Sequence, residues 1–306
     1  MIVEQARAEH AHFVRAGAHD LFAVVTEPSA APLDVGVLIL AGGRYGNTGG
    51  RNGVAGRLAA SLSARGYHVM RIDYHGIGDS TGRIEEFVLH EPFVDDASAA
   101  LGVLRAYGVD RVAVLGDCFG ARTALATCTG PGGVDALVLV SLPWRDLARS
   151  DRKAHIVSSE LTVTDYVRRG MTAGAVRKLA TVEGRRQAFG LVRAKATQLR
   201  RRVDDRMAGI DVEPWVSRRV LEQLATVRDR RTPALLLYGR GPAEDYTHDF
   251  EAIRMMPAVA WLRGHDRIET RILDQPIAGY RNVVSQDEVV RAAPEWLDGV
   301  FVDGTH

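Results

Sequence analysis

The residues most suited to chemistry form a Gly-x-Cys-x-Gly turn at 116–120, with Cys118 at its centre. An apolar run of β type precedes this turn at 112–115, and a helical pattern follows at 121–127. The layout is typical of a nucleophile elbow, which exposes its middle residue above the end of a sheet. The flanking glycines permit a sharp bend, and a helix N-terminus stabilises an anion. We therefore expect Cys118 to be a nucleophile with a lowered thiol pKa. The alternative is a buried cysteine in an ordinary strand–helix turn.

The rest of the chain alternates apolar strands with amphipathic helices, as a scaffold for such a turn requires. A strand pair is predicted within 11–26, around a turn at 17–20. Further strands are predicted at 35–40, 68–72, 134–140, 233–238 and 270–273, and helices at 54–65, 93–107 and 287–301. Alternation of this kind implies right-handed crossovers and an α/β fold. The sheet is expected to be mostly parallel and twisted, with helices on both faces.

Residues 145–231 break the alternation, because helical periodicity continues there without a convincing strand. We interpret this segment as a helical cap, or lid, inserted after the sixth strand of a core formed by 1–144 and 232–306. Arginine and lysine recur along it. This excess of positive charge predicts docking of an anionic carrier, either an acyl carrier protein or the phosphates of coenzyme A. The alternative is an ordinary solvated helical face.

Composition excludes several other classes of function. The 306 residues carry a net charge of +1, which gives no general field for nucleic acid. The polar N-terminal stretch lacks an apolar signal core, and no apolar run approaches the ~18 residues that span a membrane. We expect a cytoplasmic protein that does not bind membranes. Two cysteines without a CxxC pair predict no structural metal. The glycine-rich loop at 41–53 lacks both the P-loop ending and the dinucleotide spacing, so no cofactor is predicted.

Four elements in order make the sequence resemble the α/β-hydrolase superfamily. They are the apolar strand with its glycine-rich loop at 35–50, the Asp-Tyr-His-Gly-Ile-Gly-Asp-Ser segment at 73–80, the turn at 116–120, and the terminal strand and helix. The cysteine elbow is similar to those of dienelactone hydrolases and cysteine thioesterases. The resemblance implies an oxyanion hole formed by backbone N–H groups, here those of Phe119 and of Gly42 or Gly43.

The sequence departs from the superfamily at both partners of the nucleophile. The resemblance places a catalytic histidine after the last strand, where the stretch 278–285 offers Asn282 instead. It places an acid after the preceding strand, where the slot holds Pro242. The titratable residues nearby are Glu244, Asp245 and His248. A Cys-His-Asp triad therefore cannot be assembled at the usual positions.

Substitute groups are available for the missing triad members. His75 and His248 are the two histidines placed to act as general base, and Asp245 is a candidate acid. The alternatives are a hydrogen-bonded loop residue for His75 and a solvated one for His248. Arg44, with its loop neighbours Asn47 and Arg51, is expected to face the substrate. Asn282 and Trp144 are also candidate substrate contacts, and the alternative for Trp144 is a core position.

A cysteine without a histidine favours acyl transfer over hydrolysis. A small fraction of a free thiol is ionised at neutral pH, so Cys118 can take an acyl group from a thioester or an activated ester. Water would then lack an activating base, whereas an amine or a second thiol would not need one. We therefore predict an acyltransferase, thioesterase or cyclase that acts on a small acyl thioester or ester. Two alternatives are a non-covalent lyase or cyclase and a non-catalytic binding protein.

Overall fold

The computed structural model describes residues 8–43, 47–84, 89–146, 213, 215–241 and 244–304. The described residues form an eight-stranded sheet in the order β1-β2-β4-β3-β5-β6-β7-β8. Its strands are β1 Glu9–Ala16, β2 His19–Thr26, β3 Val35–Leu40, β4 His68–Ile72, β5 Arg111–Asp117, β6 Ala136–Val140, β7 Ala234–Gly239 and β8 Ile268–Leu273. The β1–β2 and β2–β4 pairs are antiparallel and the other pairs are parallel. The predicted fold class, a mostly parallel α/β sheet, is confirmed.

Helices follow the strands in the way the periodicity predicts. They are α1 Val54–Ser63, α2 Val94–Ala106, α3 Phe119–Thr129, α4 Arg218–Asp229, α5 Asp245–Ile253 and α6 Val283–Phe301. Short 3-10 turns occupy Arg51–Gly53, Pro257–Leu262 and Ala278–Tyr280. The sequence did not predict α5. It also placed the start of α6 four residues late, at 287 rather than 283.

The central strands are apolar along their whole length because helices cover both faces of the sheet. Every residue of β3, β6 and β7 is buried, as parallel strands covered on both sides require. On one face, Leu58 and Leu62 of α1 pack with Trp296 and Leu297 of α6 in a core shared with the sheet. This packing fixes the strand ends that carry the loops described below.

The chain divides into two compact units. The first contains 1–144, 218–255 and 259–306, and the second contains 145–217 and 256–258. Most of the predicted cap, 147–212, lies outside the described residues, and the cap stays a prediction. In the second unit, the Arg145 guanidinium lies 4.1 Å from the centre of the Trp215 ring. Across the described ranges, no helix is long and apolar enough to cross a bilayer.

Parallel strands bring their carboxyl ends to one edge of the sheet. Leu40 of β3 pairs with Gly116 of β5, and Asp117 pairs with Val140 of β6. The loops that follow β3, β5, β7 and β8 therefore meet at this edge, which in open α/β sheets is where ligands bind.

Candidate active site

Cys118 lies at a strained bend between β5 and α3. Its backbone has φ 51° and ψ −111°, a combination that residues other than glycine rarely adopt. The two elbow glycines are required by contact. A Cβ at Gly120 would lie 2.0 Å from the Leu40 carbonyl oxygen, and a Cβ at Gly116 would lie 2.2 Å from that of Gly120. The turn therefore has the geometry of a nucleophile elbow, with a partly exposed thiol at its tip.

Two backbone segments predicted to form the oxyanion hole approach this thiol. The Phe119 N–H donates a hydrogen bond to the Cys118 sulfur, at the start of α3. Gly42 follows β3 and packs closely on the elbow, since a Cβ there would lie 3.1 Å from Cys118 Cβ. Its neighbour Gly43 has a φ of +68°. Arg44 lies outside the described residues.

The expectation of a low thiol pKa is wrong. The pKa of Cys118 is raised to about 11. Burial is the main cause, and the negative charge of Asp117 acts in the same direction. The Phe119 N–H, a hydrogen bond with the Tyr246 hydroxyl and the charge of Arg51 act in the opposite direction. The Tyr246 oxygen lies 3.5 Å from Sγ. The loss of hydration destabilises the thiolate more than the N-terminus of α3 stabilises it. The resting thiol is therefore neutral at pH 7.

Asp117 is a second titratable group at the elbow. Tyr280 donates a hydrogen bond to its carboxylate from the turn after β8. Burial raises the pKa of Asp117 to about 7, and nearby Glu244 also raises it, whereas Tyr280 and Arg51 lower it. Asp117 therefore exchanges a proton near neutral pH, a property that the sequence did not reveal.

Tyr280 is held in place by the loop after β3. The Asn52 side-chain amide donates to the carbonyl oxygens of Gly279 and Tyr280, each at 3.0 Å. A Cβ at Gly279 would lie 2.9 Å from the guanidinium carbon of Arg51. The turns Arg51–Gly53 and Ala278–Tyr280 are thus locked together, and this brings a cation towards the elbow.

The structure describes the surroundings of both predicted substitute bases. His75 Nδ1 lies 2.8 Å from the Asp96 carboxylate, and its ring stacks on that of His19 with 4.9 Å between centroids. His248 is exposed on the first turns of α5. Within the described part of the chain, Cys118 is not hydrogen-bonded to any histidine, and its side-chain partner is a tyrosine. Neither histidine is therefore supported as the base.

Three further candidates have structural positions. Asn282 caps α6, where its Oδ1 accepts from the Ser285 N–H at 2.8 Å and hydroxyl at 2.7 Å. That side chain is therefore committed to the helix end and does not replace the catalytic histidine. Trp144 is fully buried and donates to the Tyr238 hydroxyl at 2.8 Å, so it is a core residue and not a substrate contact. Asp245 begins α5, beside Tyr246, whose pKa is raised mainly by burial and to a smaller extent by neighbouring charges that include Asp245.

Sequence reasoning missed Tyr246 and Tyr280, the two hydroxyl groups that contact the elbow. A local signal existed for Tyr280, which lies two residues before Asn282 in the stretch where the superfamily places its histidine. No comparable signal marked Tyr246. In the described ranges, no cluster of three or more histidine, cysteine, aspartate or glutamate side chains has the arrangement of a metal site.

Comparison with known proteins agrees with this architecture. A family model described as serine aminopeptidase, S33, matches residues 38–180. An esterase from Pyrococcus furiosus superposes with a TM-score of 0.60 at 15% identity, covering 95% of this chain and 91% of that one. A serine hydrolase without a lid from Xanthomonas campestris gives 0.53 at 13% identity, covering 94% of both chains. A proline iminopeptidase from Mycobacterium smegmatis gives 0.51 at 16%, covering 96% of this chain and 100% of that one. The search of curated proteins finds no significant match. At these identities the likeness concerns architecture alone: the chain has the α/β-hydrolase fold.

Proposed function

We propose that the protein is an acyl-transfer enzyme that carries its acyl group on Cys118. The observation that carries the proposal is the strained elbow, which holds the sulfur of a partly exposed cysteine against the Phe119 N–H. Backbone strain of this kind costs about 1–3 kcal/mol and is concentrated at functional sites. An ordinary strand–helix turn has no need of it.

The donor is an acyl thioester or an activated ester. The Cys118 sulfur attacks the acyl carbon, and the oxyanion that forms takes hydrogen bonds from Phe119 and from Gly42 or Gly43. These donors are backbone groups held by β3 and α3, so they need little reorganisation during the reaction. The structural relatives named as an esterase and an iminopeptidase carry names that denote reactions at an acyl carbon, which agrees with this proposal.

Transfer to an amine or a thiol is favoured over hydrolysis. Water is a weaker nucleophile than an amine or a thiol, and in the described residues no histidine is hydrogen-bonded to the sulfur to compensate for that. An amine is itself nucleophilic and attacks a thioester without that help. Docking of an acyl carrier protein or coenzyme A on 145–231 remains part of the proposal, although most of that segment lies outside the described residues.

A second candidate is a non-covalent lyase or cyclase on the same scaffold. It is favoured by one observation, the raised pKa of Cys118, which leaves the thiol neutral at pH 7. In that case Asp117, with a pKa of about 7, would act as the acid–base group and the sulfur would take no part in the reaction.

Intact-mass spectrometry separates the two candidates. The protein is incubated with a small acetyl thioester, and the proposal predicts one acetyl group on the wild type and none on Cys118→Ala. Cys128→Ala is the matched control, because Cys128 is buried in α3 and should not be the acceptor. The covalent route would be refuted if Cys118→Ala still carried the acetyl adduct, or if the wild type carried none. Either result would leave the non-covalent candidate.

A further inference from the structure

We propose that Asp117 is the proton carrier of this site: it accepts the thiol proton of Cys118 and delivers it to the leaving group, while Tyr280 holds its carboxylate. The inference rests on the proposed acyl transfer. It assigns a catalytic role to a residue inside the elbow rather than to the histidine and acid that the resemblance implies.

Asp117 and Cys118 both pack against Gly42, in the loop after β3. One point, the position of a Cβ at Gly42, lies 2.8 Å from Asp117 Oδ2 and 3.1 Å from Cys118 Cβ. The carboxylate and the nucleophile therefore both face the loop that is proposed to bind the acyl oxygen. The side-chain hydrogen-bond partner of the sulfur is Tyr246 and not Asp117, so the proton would pass between sulfur and carboxylate through one water molecule.

Hydrogen bonding fixes the carboxylate in this position. The Tyr280 hydroxyl donates to Asp117, and Asn52 holds the Tyr280 backbone through two hydrogen bonds of 3.0 Å to the turn. Tyr280 has a φ of 50°, which a tyrosine adopts only where the surroundings impose it. The loop after β8 thus supplies the orientation that a positioned base requires.

The charges around Asp117 suit a base that works near neutral pH. The titratable or charged groups that interact with it are Arg51, Tyr74, Cys118, Glu244, Tyr246 and Tyr280. Arg51 and the Tyr280 hydroxyl stabilise the carboxylate, whereas burial and Glu244 destabilise it. The result is a pKa of about 7, and general bases are most effective when their pKa lies near the working pH.

The proposed step balances in atoms and charge. The S–H bond of Cys118 breaks as its sulfur forms a bond to the acyl carbon, and the proton passes to the Asp117 carboxylate. The bond from the acyl carbon to the leaving sulfur then breaks, and the protonated Asp117 returns the proton to that sulfur. The leaving group departs as a free thiol. In the second half, the acceptor loses its proton to Asp117 as it attacks, and the proton returns to Cys118.

Two thioesters with one acyl group test the assignment. S-ethyl thioacetate has a basic leaving thiol that needs a proton, whereas S-(4-nitrophenyl) thioacetate has a weakly basic one that does not. The rate of Cys118 acetylation is measured by intact mass in single turnovers. In Asp117→Asn we expect the ethyl thioester to react at least about 100-fold more slowly, within the range of general acid–base catalysis. The nitrophenyl thioester should slow much less, because its reaction loses only the base for the Cys118 thiol and its leaving thiolate needs no proton.

The pH profile distinguishes catalysis from mere positioning. With the ethyl thioester, the wild-type rate should rise through a limb near pH 7, where Asp117 ionises. The limb should move to higher pH in Tyr280→Phe, because that hydroxyl lowers the pKa of Asp117, and should be lost in Asp117→Asn. Asp110→Asn, an exposed change just before β5, is the matched control and should behave as wild type.

Each result bears on one proposal. If the wild type is acetylated but Asp117→Asn keeps the limb near pH 7, the role of Asp117 is refuted and acyl transfer stands. If neither thioester acetylates the wild type, the proposed function itself fails.

Discussion

Replacing Asp117 with asparagine should make the stability of the protein less dependent on pH. The pKa of this carboxyl is raised from 3.8 to about 7 in the folded protein, mainly by burial. Between these values the folded state binds a proton that the unfolded state has lost, so stability decreases as the pH rises. One pKa unit corresponds to 1.36 kcal/mol, so the full effect is about 4 kcal/mol. About 2.5 kcal/mol of it falls between pH 5 and pH 8. Asparagine has a similar shape and cannot ionise, so the variant avoids this loss.

Urea unfolding followed by tryptophan fluorescence measures the effect. The free energy of unfolding is determined for wild type and Asp117→Asn at pH 5 and at pH 8, and the difference between the proteins is compared at the two values. The variant should gain about 2.5 kcal/mol relative to wild type at the higher pH. Asp110→Asn should show no such gain. If the difference between wild type and Asp117→Asn is the same at both pH values, Asp117 is not a buried carboxyl with a raised pKa.

Three further substitutions test other parts of the structure. Gly120→Ala places a Cβ 2.0 Å from a carbonyl oxygen and should lower the melting temperature severely. Gly102→Ala is the control: it meets nothing within 4 Å at an exposed helix position and should stabilise the protein by up to about 1 kcal/mol. Equal effects of the two changes on the melting temperature would contradict the packing of the elbow. Asn282→Ala removes a helix cap and should cost about 1 kcal/mol in urea unfolding without changing the alkylation rate of Cys118, and an altered alkylation rate would place Asn282 at the site after all. Tyr246→Phe removes a hydrogen bond that lowers the pKa of Cys118, so iodoacetamide should alkylate that thiol more slowly at pH 8; an unchanged rate would argue against the contact.

The fold could be predicted from the sequence because its signals are local. The run at 35–40 is apolar at almost every position because β3 is buried on both faces. The continuous apolar pattern in the sequence therefore matches the burial in the structure. The glycines on either side of Cys118 mark a bend that no other residue can occupy without a clash. Signals of this kind depend on a few neighbouring residues, so they survive without knowledge of the tertiary structure.

The site could be predicted only in part because its partners are distant in sequence. Tyr246 contacts Cys118 across more than a hundred residues, and neither the spacing nor the type of this tyrosine indicates the contact. Asn282 shows the opposite error. Its local pattern, with Ser285 three residues later, is that of a helix N-cap. Alignment with the superfamily nevertheless suggested a place in the triad, because the length of the preceding loop was not known.

If Asp117 is the base proposed above, the raised thiol pKa accounts for a cysteine rather than a serine at the elbow. The helix N-terminus alone would favour a thiolate, but burial and Asp117 leave a neutral thiol with a pKa of about 11. A base with a pKa of about 7 must then accept a proton across about four units, which costs about 5 kcal/mol. An alcohol is about as weak an acid as water, with a pKa near 15.7, about seven units above that of a free thiol, so in the same surroundings the gap would be larger by about 10 kcal/mol. An aspartate can therefore serve a cysteine where it could not serve a serine. In the proposed mechanism, the cysteine at the elbow and the lack of a histidine hydrogen-bonded to it among the described residues have a single cause.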